Sequence, residues 1–225
     1  MTDKFADAPS PTYRAIPSKF PPIGVFDTIS TAADLDKVMD LVGWTNDRLV
    51  AHRVARLDRS EWVFGRPNSS IVMAAFLHVA PTGSRFNTGD LGAWYAAASL
   101  RTAIAEVAHH LRRETYARRK DKESRTYRAY SCVLAGSYLD IRGEQNSRPG
   151  VYDSEIYAVS QALGESIRSS GGAGIICDSV RHQGGTNVVA YCPRNVLDII
   201  QTDHFRITVD VHSPRIEIRK LKPAR

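Results

Sequence analysis

A strand that runs into a helix with almost no linker constrains this chain more than any other feature. GAWYAAA, after a glycine turn, reads as a strand, and Ser99 stands where a helix N-cap belongs. Beyond it Leu100, Ala103, Ile104, Val107, Ala108 and Leu111 fall on one apolar helical face. So tight a joint folds the helix back over the sheet, so Tyr95 on the strand and Glu106 on the helix can face one crevice.

The remaining pattern is mixed. RLVAHRVAR alternates like a strand, and SIVMAAFLHVA reads as a buried strand, with a helix left open because periodicity does not separate the two. YRAYSCVLAGSYLDI reads as one or two strands, and SEIYAVSQALGESIRSS as an amphipathic helix ended by Gly171 and Gly172. AGIICDS and TNVVAYC are further strands around the turn RHQGG, and FRITVDVHSPRIEIRKL is a closing hairpin about Ser213 and Pro214. Pro9, Pro11, Pro17, Pro21 and Pro22 make the start an extended arm, followed by a short helix over about Thr31 to Leu41. The order predicts an α+β fold, a strand-rich sheet core with flanking helices and no regular βαβ alternation.

At 225 residues the chain suits one well-cored domain with an appendage. Residues 1–47 form the arm and short helix, and residues 48–225 the main domain with its hairpin. No long apolar run suggests a membrane span, no secretory signal is indicated, and the chain is read as cytoplasmic. Three cysteines without C-x-x-C spacing predict neither a disulfide framework nor a metal site. The net charge of +6 is local: Arg101 to Arg128 holds nine Lys and Arg against four Asp and Glu. That run reads first as a solvated helix face, and direct nucleic-acid binding is not expected from it.

The candidate residues cluster around the opening segment. SRFNTGDLG is a glycine-bearing loop that lets backbone approach a ligand, and Arg85 within it can pair with phosphate. Glu106 is either a rim carboxylate or a charge aimed into the crevice, and Tyr95 either a core tyrosine or a flat face for a ligand. Trp94 and Tyr95 are neighbours on a strand, so one points to the core and the other to the crevice. Glu106 and His109 spell E-x-x-H, but without a second copy the histidines read as a helix edge and no metal is expected. Ser179 and His182 lack the G-x-S-x-G elbow of a serine hydrolase.

Taken together, HRVAR, SRFNTGDLGAWYAA, SLRTAIAEVAHH and GIICDSVRHQGGTNVVAYCP resemble, in that order, the blocks of the RES domain family. These are toxins of bacterial toxin–antitoxin pairs that are similar in fold to ADP-ribosyltransferases. The resemblance implies cleavage of the nicotinamide–ribose bond of NAD, by hydrolysis or phosphorolysis, or transfer of ADP-ribose to a protein. A non-catalytic nucleotide- or protein-binding module is the alternative from another class. The resemblance carries the catalytic roles to Arg53, Tyr95, Glu106 and Ser179 and substrate binding to Arg85, Phe86, Asn87 and Asn187. NAD is then a consumed substrate and no cofactor is implied. The implied partner is a cognate Xre-like antitoxin, with room for a homo-oligomer inside such a complex. The chain departs from the family pattern in a longer spacer between Arg53 and Arg85 and in R-F-N, where tryptophan often stands.

Overall fold

In the computed structural model, residues 3–19, 24, 26–31, 33–34, 37 and 56–222 are described. Nine strands form one sheet: β1 (Phe5–Asp7), β2 (Thr12–Pro17), β3 (Trp94–Ala97), β4 (Lys122–Leu134), β5 (Ser137–Asp140), β6 (Gly174–Asp178), β7 (Thr186–Ala190), β8 (Val196–Asp210) and β9 (Ser213–Lys220). Three helices among the described residues pack on this sheet: α1 (Ser69–Leu77), α2 (Leu100–Ala117) and α3 (Ala158–Ser169). The sheet order is β1-β5-β6-β7-β3-β2-β4-β8-β9, and every pair is antiparallel except β5 with β6. This is the α+β architecture that the order of elements implied.

Strand alternation divides the core between the two sheet faces. Trp94, Ala96, Ile176, Val188 and Ala190 point to one face, where Val72, Met73, Phe76 and Leu77 of α1 cover them together with Leu57 and Trp62. Their neighbours Ile175, Cys177 and Val189 point to the other face, against Phe86 and the Leu163 and Ile167 flank of α3. Farther along that second face, Ile104, Ala108 and Leu111 of α2 pack on Tyr127, Ala129, Phe205, Ile207 and Val209. Two helices thus share the second face, and a cleft remains between them.

SIVMAAFL is a helix where a strand was expected. Six of the nine residues of α1 are buried, so it shows no polar side and no helical period. Its N-terminal cap comes from far away: the Asp27 carboxylate accepts from the Asn68 N–H at 2.9 Å and the Ser70 N–H at 2.8 Å. No local cap marks its start.

The N-terminal segment, expected as an extended arm, supplies two strands of the sheet. TYRAI alternates between Pro11 and Pro17, and β2 pairs with β4 from Thr12↔Cys132 to Pro17↔Tyr127 while touching β3 at Tyr13↔Ala97. Pro11 precedes the strand and Pro17 ends it, so neither interrupts the ladder. The helix expected over Thr31 to Leu41 and the strand expected at RLVAHRVAR lie mostly outside the described residues.

The closing hairpin is present, but β8 begins at Val196, nine residues before Phe205. Its turn falls at Val211 and His212, and Ser213 and Pro214 already belong to β9. Arg112 of α2 clamps it, donating from Nε to the Asp210 carbonyl and from Nη2 to those of Pro214 and Arg215. Part of the basic run is therefore structural. Arg125 likewise pairs with Glu114 at 2.7 Å.

Candidate active site

The cleft between α2 and α3 has a volume of about 830 Å³, and its floor is the sheet at β3, β6 and β7. Tyr95, Cys177, Asn187 and Val189 rise from that floor, and Glu106 enters from the α2 wall. The strand-to-helix joint makes this possible. The Ser99 hydroxyl accepts the Thr102 N–H at 3.1 Å, α2 starts at once, and Glu106 in its second turn hangs over the strand it has just left.

Glu106 is held through one oxygen. Its Oε1 accepts from Ser179 Oγ at 2.6 Å and from Asn187 Nδ2 at 2.6 Å, whereas Oε2 accepts no hydrogen bond among the described residues. Ser179 is itself fixed, because its Oγ accepts the N–H groups of Arg181 at 3.2 Å and His182 at 3.0 Å. With both acceptor positions occupied, the hydroxyl proton points at the carboxylate. A carboxylate oriented in this way presents one unengaged oxygen to whatever fills the cleft.

Tyr95 occupies the crevice side of β3 and Trp94 the core side, opposite faces as alternation required, with the choice between them settled by the fold. The Tyr95 hydroxyl donates to Asn87 Oδ1 at 2.7 Å and accepts the Phe86 N–H at 3.0 Å, which stitches the 84–89 loop to the floor. Burial raises its pKa, against a smaller opposing effect of the Phe86 N–H, so it stays a phenol and contributes a ring face. Below it, burial pushes the Cys177 thiol up to about 12, which leaves it a small inert floor residue.

Arg85 sits on the loop wall. Its Nη1 donates to the carbonyls of Asp153 at 2.6 Å and Val151 at 3.3 Å, and its guanidinium lies over the Tyr157 ring, 4.7 Å from the centroid. Phe86 borders the cleft, but its ring is 2 % exposed and belongs to the core under α3. Asn87 is fully buried and turned inward, with its Nδ2 donating to the carbonyls of Thr88 and Leu91. These two residues shape the loop from behind. Asn187, in contrast, reaches Glu106 directly.

Arg53 lies outside the described residues. The structure instead brings an arginine that the sequence reading passed over, Arg14 of β2. Its Nη1 donates to the Tyr95 carbonyl at 2.9 Å and its guanidinium lies 4.7 Å from the centre of the Trp94 ring. Burial lowers its pKa from 12.5 to about 10, leaving it cationic at neutral pH, and its Nε has no hydrogen-bond partner among the described residues. The signal was the alternation of TYRAI. It was masked by the surrounding prolines.

The far wall is cationic. His110 and Arg113 of α2 face Arg181 of the β6–β7 turn across the mouth of the cleft. Their neighbour His109 has a buried Nε2 without a partner, and burial, reinforced by Arg181, lowers its pKa from 6.5 to about 4. Among the described residues no group of three or more His, Cys, Asp or Glu is placed to hold a metal ion. No helix among them is long and apolar enough to cross a membrane.

No curated protein matches the sequence. Among solved structures, the crystal structure of the M. tuberculosis MbcT–MbcA toxin–antitoxin complex is similar at 11% identity, with 88% of this chain and 86% of that chain covered and a TM-score of 0.48. The RES domain family model matches residues 53–210, most of the chain, from the position of Arg53 through the last strand-pairing residue of β8. The chain that carries this Glu106 cleft therefore belongs to the RES domain family.

Proposed function

We propose that this chain is a toxin enzyme that consumes NAD by cleaving the bond between nicotinamide and ribose. Membership of the family supports it, and the observation that carries it is the carboxylate of Glu106, oriented through Oε1 with Oε2 free in the cleft. NAD suits the other groups. Its diphosphate matches the guanidinium forks of Arg14 and Arg85, and its nicotinamide, a ring cation, matches the face of Tyr95.

As the glycosidic bond breaks, its electron pair leaves with nicotinamide, which becomes neutral, and positive charge moves to the ribose. In the proposed mechanism Oε2 of Glu106 meets that charge and stabilises the oxocarbenium-like state more than the ground state. A nucleophile then attacks C1′ of the ribose. When it is water, its proton is released and ADP-ribose is the product; when it is phosphate, ADP-ribose phosphate is formed. NAD acts as substrate and no resident cofactor is needed for this step.

An antitoxin protein closing the cleft is the natural control for such an activity. Arg85, Arg113 and Arg181 around the mouth suit an acidic segment of that partner. The toxin then acts on the NAD of the cytoplasm whenever the partner is lost.

The test is nicotinamide release from NAD by the purified chain. Release by wild type and its loss in Glu106→Gln is the expected result; no release, or equal release by both, overturns the reading. Label in the adenine ring then separates free ADP-ribose, its phosphate ester and a modified protein band.

A further inference from the structure

The β6–β7 turn holds Ser179, α2 holds Glu106, and the two elements meet a second time through a pair that the mechanism has not used. His182 Nδ1 lies 2.9 Å from Thr102 Oγ1, and Thr102 Oγ1 lies 2.8 Å from the Ser99 Oγ that caps α2. Thr102 is 1 % exposed, so the link is made inside the protein. The turn itself is closed on three sides. Ser179 N–H donates to the Gly185 carbonyl at 2.8 Å, Gly185 N–H to the His182 carbonyl at 2.9 Å, and His182 N–H to Ser179 Oγ at 3.0 Å.

We propose that His182 is a positioning residue: its imidazole bolts the Ser179 turn to the first turn of α2 and thereby fixes Ser179 against Glu106. This inference rests on the proposed role of Glu106. The bolt works in either protonation state of the ring, because the Thr102 hydroxyl can donate to a neutral Nδ1 or accept from a protonated one and donate to Ser99. It also explains a glycine. A Cβ on Gly185 would stand 2.8 Å from both His182 Nδ1 and Thr102 Oγ1, so any side chain there wedges the bolt open.

A side chain that acts through Ser179 has effects that a merely structural one lacks. His182→Ala is expected to lower kcat for nicotinamide release about tenfold with little change in KM, since a small misplacement of a reacting group costs that order of rate. The double variant His182→Ala/Ser179→Ala is expected to be no slower than Ser179→Ala alone. His182→Asn, whose amide falls where Nδ1 stood, is expected to recover most of the lost kcat, and His182→Gln, whose amide falls at Nε2, is not. Gly185→Ala is expected to mimic His182→Ala while leaving the histidine in place. Additive loss in the double variant, or equal recovery by Asn and Gln, overturns the proposal.

A second readout needs no NAD cleavage. Amide hydrogen exchange at Arg181 and Gly185 is expected to speed up at least tenfold in His182→Ala, relative to amides in β4, and unchanged exchange overturns the proposal. Should wild type release no nicotinamide, the reading of function fails while exchange still decides whether His182 holds the turn.

Discussion

Ser179 donates its hydroxyl proton to Oε1 of Glu106 across 2.6 Å, and the Arg181 and His182 N–H groups arriving at Ser179 Oγ leave that proton no other direction. The bond is charge-assisted, and such bonds contribute about 1.5–3 kcal/mol. Ser179→Ala is therefore expected to lower kcat for nicotinamide release about 10- to 100-fold, with KM within a few-fold of wild type. Steady-state kinetics check this. A change confined to KM would assign the serine to substrate binding instead.

Arg14 offers a different signature. It touches floor residues and has an unpartnered Nε, so its removal is expected to weaken substrate binding more than turnover. Arg14→Met, which keeps the length and apolar stem, is expected to raise KM for NAD about tenfold or more while the protein stays folded. Arg14→Lys is expected to fare little better, because an ammonium has neither the planar fork nor the stacking face that lies over Trp94. Isothermal titration of the Glu106→Gln background with NAD separates binding from turnover.

The Tyr95 hydroxyl and ring have separable uses. Tyr95→Phe keeps the face and strips the partner from the Phe86 N–H and from Asn87 Oδ1. Its expected cost is about 1–2 kcal/mol of stability, from two buried polar groups left short of a bond, with activity reduced only a few-fold. Tyr95→Ala is expected to lose activity as well. Denaturant melts and nicotinamide release on the same preparations distinguish these outcomes.

Acid should expose His109. Its folded-state pKa of about 4 lies below the ordinary 6.5, so protons bind the unfolded chain first as pH falls. Stability is expected to be full above about pH 6.5, to decline between about 6.5 and 4, and to level off below. Solvent reaching part of the ring limits the contribution of this residue to about 1 kcal/mol. His109→Gln is expected to flatten that part of the urea-midpoint profile between pH 7 and 4.

The strand-to-helix joint, the helix face of α2 and the pairing of Tyr95 with Glu106 across a crevice were legible because every signal for them is local: a cap, a period, an alternation. What was not legible depends on residues far apart in sequence. The start of α1 is capped by Asp27, and apolar residues lie all round it, so neither a cap nor a period marks it. Arg14 enters the site because β2 is inserted between β3 and β4, a pairing that no feature of TYRAI by itself announces. The resemblance carries substrate binding to Asn87, and its place in the loop does not by itself say which way its amide turns. Its bonds to the Tyr95 hydroxyl and to the carbonyls of Thr88 and Leu91, none of them marked by a sequence pattern, turn it inward.

The insertion of β2 between β3 and β4 has a consequence for how the protein is made. Its partners begin at Trp94 and Lys122, so a chain leaving the ribosome holds its sixth sheet position in hand long before either neighbour exists. Contacts of that sequence separation form late and slowly. Arg14 therefore reaches its station in the cleft only after the strands on both sides have been synthesised, so on a nascent chain this wall stays unbuilt until Lys122–Leu134 has emerged.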